Sequence, residues 1–184
     1  SLNPEDIDEN IGAGAFEGLA KALRMDRADV IKEVLDSGLR GRGGGGFPTG
    51  RKWQFAYAQP EGEKYVVCNG DEGDPGAFMD RSILEGNPIG VIEGMMIAGY
   101  AIGAQNGYFY VRAEYPVAVN RLRLAIRQAE SIGLLGDNIL GSGFSFRVHI
   151  RLGAGAFVCG EETALLNSMR DSAVCPVPVL LSPR

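Results

Sequence analysis

Gly107-Tyr-Phe-Tyr-Val-Arg112, followed by Pro116-Val-Ala-Val-Asn-Arg-Leu-Arg-Leu-Ala-Ile-Arg-Gln-Ala129, decides the fold class of this chain. The first run is short, aromatic and β-branched, the composition of a buried strand. The second opens on proline, whose fixed φ suits the first helical position. It places Val119, Leu122, Ala125, Ile126 and Ala129 on one helical face, and Gly133 to Gly136 end it. Downstream, Phe144, Phe146, Val148 and Ile150 alternate and predict a third strand over Phe144 to Ile150. Strand, helix and strand in that order predict a right-handed crossover between parallel strands. Upstream, Lys64-Tyr-Val-Val-Cys68 reads as another buried strand and Asp80 to Leu84 as a short helix. Pro88 to Ile102 reads as a longer helix with Ile89, Ile92, Met95, Met96 and Tyr100 inward. The alternation of strands and helices puts the chain in the α/β class, with a mainly parallel sheet.

Helices precede the sheet. Asn3-Pro-Glu-Asp6 predicts a helix start with Asn3 as cap, broken at Gly12 to Gly14. Phe16, Leu19, Ala20 and Leu23 recur at helical spacing. Asp26 is placed to cap a further helix, with Val30, Ile31, Val34 and Leu35 inward and Gly38 as its stop.

The chemistry concentrates in three stretches. The first is Ser37-Gly-Leu-Arg-Gly-Arg-Gly-Gly-Gly-Gly-Phe-Pro-Thr-Gly-Arg-Lys-Trp53. Glycine lets backbone approach a ligand closely, and consecutive N–H groups form an anion nest. Arg40, Arg42, Arg51 and Lys52 add positive charge, and Phe47 and Trp53 offer flat apolar faces. A phosphate cradle is one reading and a flexible linker the other; the cations and rings favour the cradle. Neither common phosphate fingerprint is met. Gly41, Gly43 and Gly46 satisfy Gly-x-Gly-x-x-Gly only as any glycine run would, with no strand before them, and Gly50 is followed by Arg51, not Lys.

The second stretch, Asn69-Gly-Asp-Glu-Gly-Asp-Pro-Gly76, follows the first strand, where ligands of open α/β sheets gather. The third is Leu152-Gly-Ala-Gly-Ala-Phe-Val-Cys-Gly-Glu-Glu-Thr-Ala-Leu-Leu-Asn167. Its Gly160-Glu-Glu-Thr163 opens a helix; the acids either pair with the positive helix end or bind ribose hydroxyls. His149 faces away from the apolar positions of its strand and has no evident partner, so it reads as a structural or surface histidine.

The chain has 184 residues, the size of about one domain, with a net charge of −5 that argues against non-specific nucleic-acid binding. Cys68, Cys159 and Cys175 lack Cys-x-x-Cys spacing, which suits a reduced compartment and leaves no metal signature. The longest apolar run is too short to span a bilayer, so a cytoplasmic location without direct membrane insertion is expected. Cations in one glycine-rich stretch and carboxylates in two others suit a nucleotide, and no nucleophile–base pair is evident; a cofactor is expected to carry the chemistry.

Leu39 to Trp53, Cys68-Asn-Gly-Asp-Glu-Gly-Asp-Pro-Gly-Ala-Phe-Met-Asp-Arg81 and Gly153 to Leu165 together resemble the NADH- and FMN-binding flavoprotein subunit of respiratory complex I. The same module occurs in diaphorase subunits of NAD-linked hydrogenases and formate dehydrogenases. The resemblance runs from about Asn3 to Met169, and the second motif is closer in form to the hydrogenase and formate dehydrogenase branch. It implies an α/β, Rossmann-like layered fold: an N-terminal helical segment over 1–36, an FMN/NADH-binding domain over 37–169, incomplete relative to the family, and a tail over 170–184.

The resemblance also implies roles. Gly41, Gly43 and Lys52 would hold FMN and its phosphate. Asn69, Asp71 and Glu72 would bind the ribityl chain and ring edge, with Phe157, Gly160 and Glu161 completing that site. Phe47 and Phe55 would sandwich the adenine of NADH. Asp74 would approach NADH with a shorter reach than the glutamate common there, and Glu162 would favour NADH over NADPH. Hydride would pass from the nicotinamide to FMN and electrons singly onward to iron–sulfur centres. The 4Fe-4S cluster of the full-length family is expected, but its ligating cysteines are absent here. Partner iron–sulfur subunits and peripheral association with the inner membrane are implied. Because Arg170 to Arg184 departs from the family pattern, a shortened chain or a slip of reading frame near Met169 is expected. Homo-oligomerisation and weak or absent FMN binding would follow from exposed apolar surface.

Overall fold

Three parallel strands, β1 (Tyr65–Gly70), β2 (Asn106–Arg112) and β3 (Arg147–Gly153), lie side by side in chain order. The structure is a computed structural model that describes residues 2–42, 45–60, 62–72 and 76–153. Its helices are α1 (Ile7–Gly12), α2 (Glu17–Ala22), α3 (Arg27–Asp36), α4 (Thr49–Ala58), α5 (Met79–Gly86), α6 (Pro88–Ile102) and α7 (Pro116–Ser131). The α/β class, the parallel sheet and the preceding helices match the sequence reading.

The helix α6 is apolar around most of its circumference, and a helix of that kind is stable only when most of its surface is buried. One side packs on β1 and β2, and the others meet α2, α3, α4, α5 and α7. Val66, Phe109, Val111 and Val148 come from the sheet to this core, and Ile92, Met96 and Ile102 come from α6. Close seating requires glycine at two points. A Cβ on Gly99 would lie 2.4 Å from the Phe146 ring, and one on Gly107 would lie 2.8 Å from it. The buried ring of Phe146 thus fills a slot between helix and strand.

Two local expectations are corrected, and one helix is added. Asn3 does not cap α1: its Oδ1 accepts from Glu5 N at 3.0 Å, and Asp6 is the cap, accepting from Glu9 N at 3.0 Å. The cause is tertiary. Buried Asn10 donates to Asn3 O at 2.8 Å and Asp6 O at 2.7 Å, folding the segment before the helix into a turn. The third strand begins at Arg147, because Phe146 instead pairs antiparallel with Gly136. Alternation reported that Phe144 and Phe146 are buried, not which strand they pair with. The helix α4 gave no periodic signal, since its buried residues are Gly50 and Ala56.

Gly50 seats α4 on α3, where a Cβ would lie 2.5 Å from Leu35 Cα, a backbone atom that cannot yield. Gly50→Ala is therefore expected to lower stability by about 1–3 kcal/mol. Gly94→Ala, at an exposed position of α6 with open space around it, is expected to raise stability by about 0.5–1 kcal/mol. Urea melts of both variants check the pair, and equal shifts would contradict the packing argument.

Candidate functional site

The glycine loop is closed at its neck by its own backbone. Thr49 N donates to Leu39 O at 2.9 Å and Gly41 N to Phe47 O at 2.9 Å, with Arg40 bridged to Pro48. Arg40 Nη1 also donates to Gly46 O at 3.0 Å. These bonds make the segment a stemmed loop, which a flexible linker is not.

The neck of this loop and the carboxyl end of β1 meet in one cleft of about 320 Å³. The loop contributes Leu39 to Arg42 and Thr49, and β1 contributes Cys68, Asn69 and Gly70. The opposite wall is Met79, Asp80, Ile83 and Leu84 of α5, with Val91 of α6. A Cβ on Gly70 would meet Leu84 Cδ1 at 2.9 Å and Tyr110 O at 3.2 Å, so glycine lets α5 lie against the strand end.

Polar order in the turn after β1 comes from three side chains. Asn69 Oδ1 accepts from Asp71 N at 3.0 Å. The Glu72 carboxylate caps α5 from outside that helix: Oε1 accepts from Met79 N at 2.8 Å and Asp80 N at 3.4 Å, and Oε2 from Arg81 N at 3.4 Å. Arg112, at the end of β2, donates through Nη1 to Glu72 O at 2.8 Å and through Nη2 to Glu114 at 3.5 Å. Its buried Nε has no partner among the described residues.

Burial raises the pKa of Asp71; Arg112 opposes that shift and Glu114 reinforces it. Asp80 is raised by burial and then by Glu72. Burial pushes the Cys68 thiol up to about 12, so it is a neutral thiol and no nucleophile at physiological pH. Cationic Arg40 and Arg42, a carboxylate and an apolar wall fit a phosphorylated ligand with a planar ring, at a volume within the ordinary range for ligand pockets.

The structure brings together Gly41 and Asn69 of the predicted site residues, with Asp71 and Glu72 continuing from the strand end. Lys52 is half-buried in the first turns of α4 and is not part of the cleft's described lining. Phe47 and Phe55 are 44% and 57% exposed, their ring centroids 6.5 Å apart and tilted by 42°. A ring sandwiched between them would need roughly parallel faces about 7 Å apart, twice a contact distance. Gly43, Asp74, Phe157, Gly160, Glu161 and Glu162 lie outside the described residues, as do Cys159, Cys175 and the tail.

His149 does have partners, contrary to the sequence reading. Its Nε2 lies 3.1 Å from Asn106 Oδ1 and its ring stacks on Tyr108 at 4.9 Å. Burial, then Arg151 and Arg147, lower its pKa. Sequence reasoning missed Thr49, Asp80 and Arg112. Thr49 and Asp80 stood in recognised motifs without roles, and no local signal marks Arg112. Among the described residues no cluster of His, Cys, Asp or Glu could hold a metal, and no helix is long and apolar enough to cross a membrane.

Residues 34–180 match the family model of the Nuo51 FMN-binding domain. The chain is 57% identical over 176 residues to HndC, an NADP-reducing hydrogenase subunit of Solidesulfovibrio fructosivorans, covering 96% of this chain and 36% of that protein. It is 52% identical over 163 residues to an NADH-quinone oxidoreductase subunit of Aquifex aeolicus, covering 89% of this chain and 38% of that protein. The chain thus spans little more than a third of the curated relatives it matches. A solved NAD+-reducing [NiFe]-hydrogenase in the H2-reduced state superposes with a TM-score of 0.70 at 34% identity, over 86% of this chain and 30% of that one.

The raised pKa of Asp71 carries a sign. A carboxyl that titrates higher when folded binds its proton more tightly in the native state, so its ionised form opposes folding. Asp71→Asn is therefore expected to be more stable than wild type at about pH 7. The gain should shrink as pH falls through the raised value and vanish below the free aspartate value of about 3.9. Urea midpoints across that range check this, and a lower midpoint for the variant at about pH 7 would contradict it.

Proposed function

Because the chain belongs to the Nuo51 FMN-binding domain family, we propose that its cleft holds FMN and that it is the flavin- and NADH-binding part of a redox flavoprotein subunit. The observation that carries this reading is the meeting of the glycine-loop neck with the carboxyl end of β1 in one cleft. Glycine at Gly41 and Gly43 would let backbone approach the phosphate closely, and Lys52 with the flanking arginines would supply positive potential for it. Asn69, Asp71 and Glu72 stand at the strand end for ribityl hydroxyls and the ring edge. Burial withdraws part of the solvent from Asp71, so hydroxyls donated to its carboxylate would replace some of what it lacks. The apolar wall of Met79, Ile83 and Val91 offers a dry surface to a planar ring.

FMN, when bound, supplies hydride acceptance and single-electron release. Phe157, Gly160 and Glu161 would complete its site. Phe47 and Phe55 would receive the adenine once their rings part, and Asp74 would approach the dinucleotide. Glu162 would repel a 2′-phosphate and so select NADH. One relative is named for NADP, so both dinucleotides belong in the test. Iron–sulfur subunits of a larger complex would be the electron-accepting partners, and association with a membrane would run through them.

Titration of the chain with FMN and with riboflavin, followed by flavin fluorescence, tests the site. Wild type is expected to quench FMN and prefer it to riboflavin. Lys52→Met is expected to lower that preference by about tenfold, the worth of one charge-assisted phosphate contact. No quenching would overturn the cofactor assignment. Adding NADH or NADPH with ferricyanide then separates an electron-transfer site, which bleaches the acceptor, from a catalytically silent nucleotide-binding or assembly module.

A further inference from the structure

Arg112 occupies the last position of β2, one residue beyond the pairing of Val111 with Gly70, and so stands at the sheet end that carries the cleft. We propose that Arg112 is a positioning residue for the cofactor cleft, fixing the Asp71–Glu72 turn and, through it, the start of α5. The ligand in this proposal rests on the FMN reading above; the mechanical tie does not.

The tie runs through one chain of contacts. The helix α5 begins at Met79, and the Phe78 before it provides no side-chain cap. Its first amides are instead met by both oxygens of Glu72, a residue outside the helix. Glu72 is held in turn at its carbonyl by Arg112 Nη1 at 2.8 Å. Glu72 thus ties the end of β2 to the start of α5 through two anchors, its carboxylate on α5 and its carbonyl on Arg112.

A second contact runs the same way. The buried ring of Tyr115 receives the Arg112 guanidinium at 5.9 Å and that of Arg81, from α5, at 5.4 Å. Arg112 also lies close enough to Asp71 to favour its ionised form. Lysine would not serve equally. Glu72 O, Glu114 and the Tyr115 face are reached together only by a planar fork with several donors.

Two measurements on the chain decide the proposal: amide hydrogen exchange without ligand, and FMN titration. Arg112→Met is expected to speed exchange at Met79, Asp80 and Arg81 by about tenfold, and to weaken FMN binding by a similar factor, the worth of a charged hydrogen bond. Exchange at Leu122 and Ile126 in α7 should stay unchanged. Arg112→Lys is expected to show smaller losses of the same sign, and it stands in if Arg112→Met does not fold. Uniformly faster exchange, unchanged exchange at the α5 start, or faster exchange with unaltered FMN affinity would each overturn the positioning role. Absence of FMN binding by wild type would instead overturn the functional reading, leaving the exchange result to judge the tie.

Discussion

The seating of Phe146 between Gly99 and Gly107 is the constraint on which the rest of this structure depends. Helix-to-sheet distance is normally set by side chains from both layers. Here two layers give up their side chains so that one ring from a third segment can enter. The consequence is a close and fixed placement of α6 on β2, with no room for a methyl group at either glycine. Because α6 is apolar around most of its circumference, its outer surface then recruits α2, α3 and α4, with Glu93 accepting from Leu19 N of α2 at 3.0 Å. The glycine loop hangs between α3 and α4, and the Gly50–Leu35 contact joins those two helices. The loop neck is therefore positioned by the same core that positions the strands.

The cleft is assembled from the other end of the sheet. The strand β1 delivers Asn69 and Gly70 on one side of the cleft, and α5 stands on the other. The acids beside them are costly to place: Asp71, just past the strand, and Asp80, in the first turn of α5, both titrate high because burial withdraws part of their solvent. A core optimised for stability would not keep such groups at a cleft wall. Retaining them is consistent with a site whose polar groups are meant to be completed by a ligand. Glu72 has another role, as its carboxylate neutralises the amides of a helix that has no cap of its own.

Much of the fold is legible along the chain because burial leaves a period. Val66 and Phe109 lie in short apolar runs, and Leu122, Ile126 and Ala129 recur at helical spacing; each signals its element without reference to a partner. The limits of the same signal show in Phe144 and Phe146, which alternate as strand residues do but precede the strand. They show again in α4, where the buried residues are too small to register as apolar. The candidate site is legible in part: Gly41 and Asn69 meet in the cleft, whereas Arg112 looks like an ordinary strand-end arginine until Glu72 is seen beside it.

By itself, the sequence determined the α/β class, the parallel strands, the two long helices and membership of a flavin-binding family, since these follow from local periodicity and from contiguous motifs. Only the tertiary structure decided which Asx residue caps α1, where β3 begins, that α4 exists, and that an arginine 40 positions away anchors the acidic turn. The physical reason is range. Propensity and period act between near neighbours, whereas a turn tied down by Asn10, a slot vacated by two glycines or a carbonyl held across two strands exists only once distant segments meet.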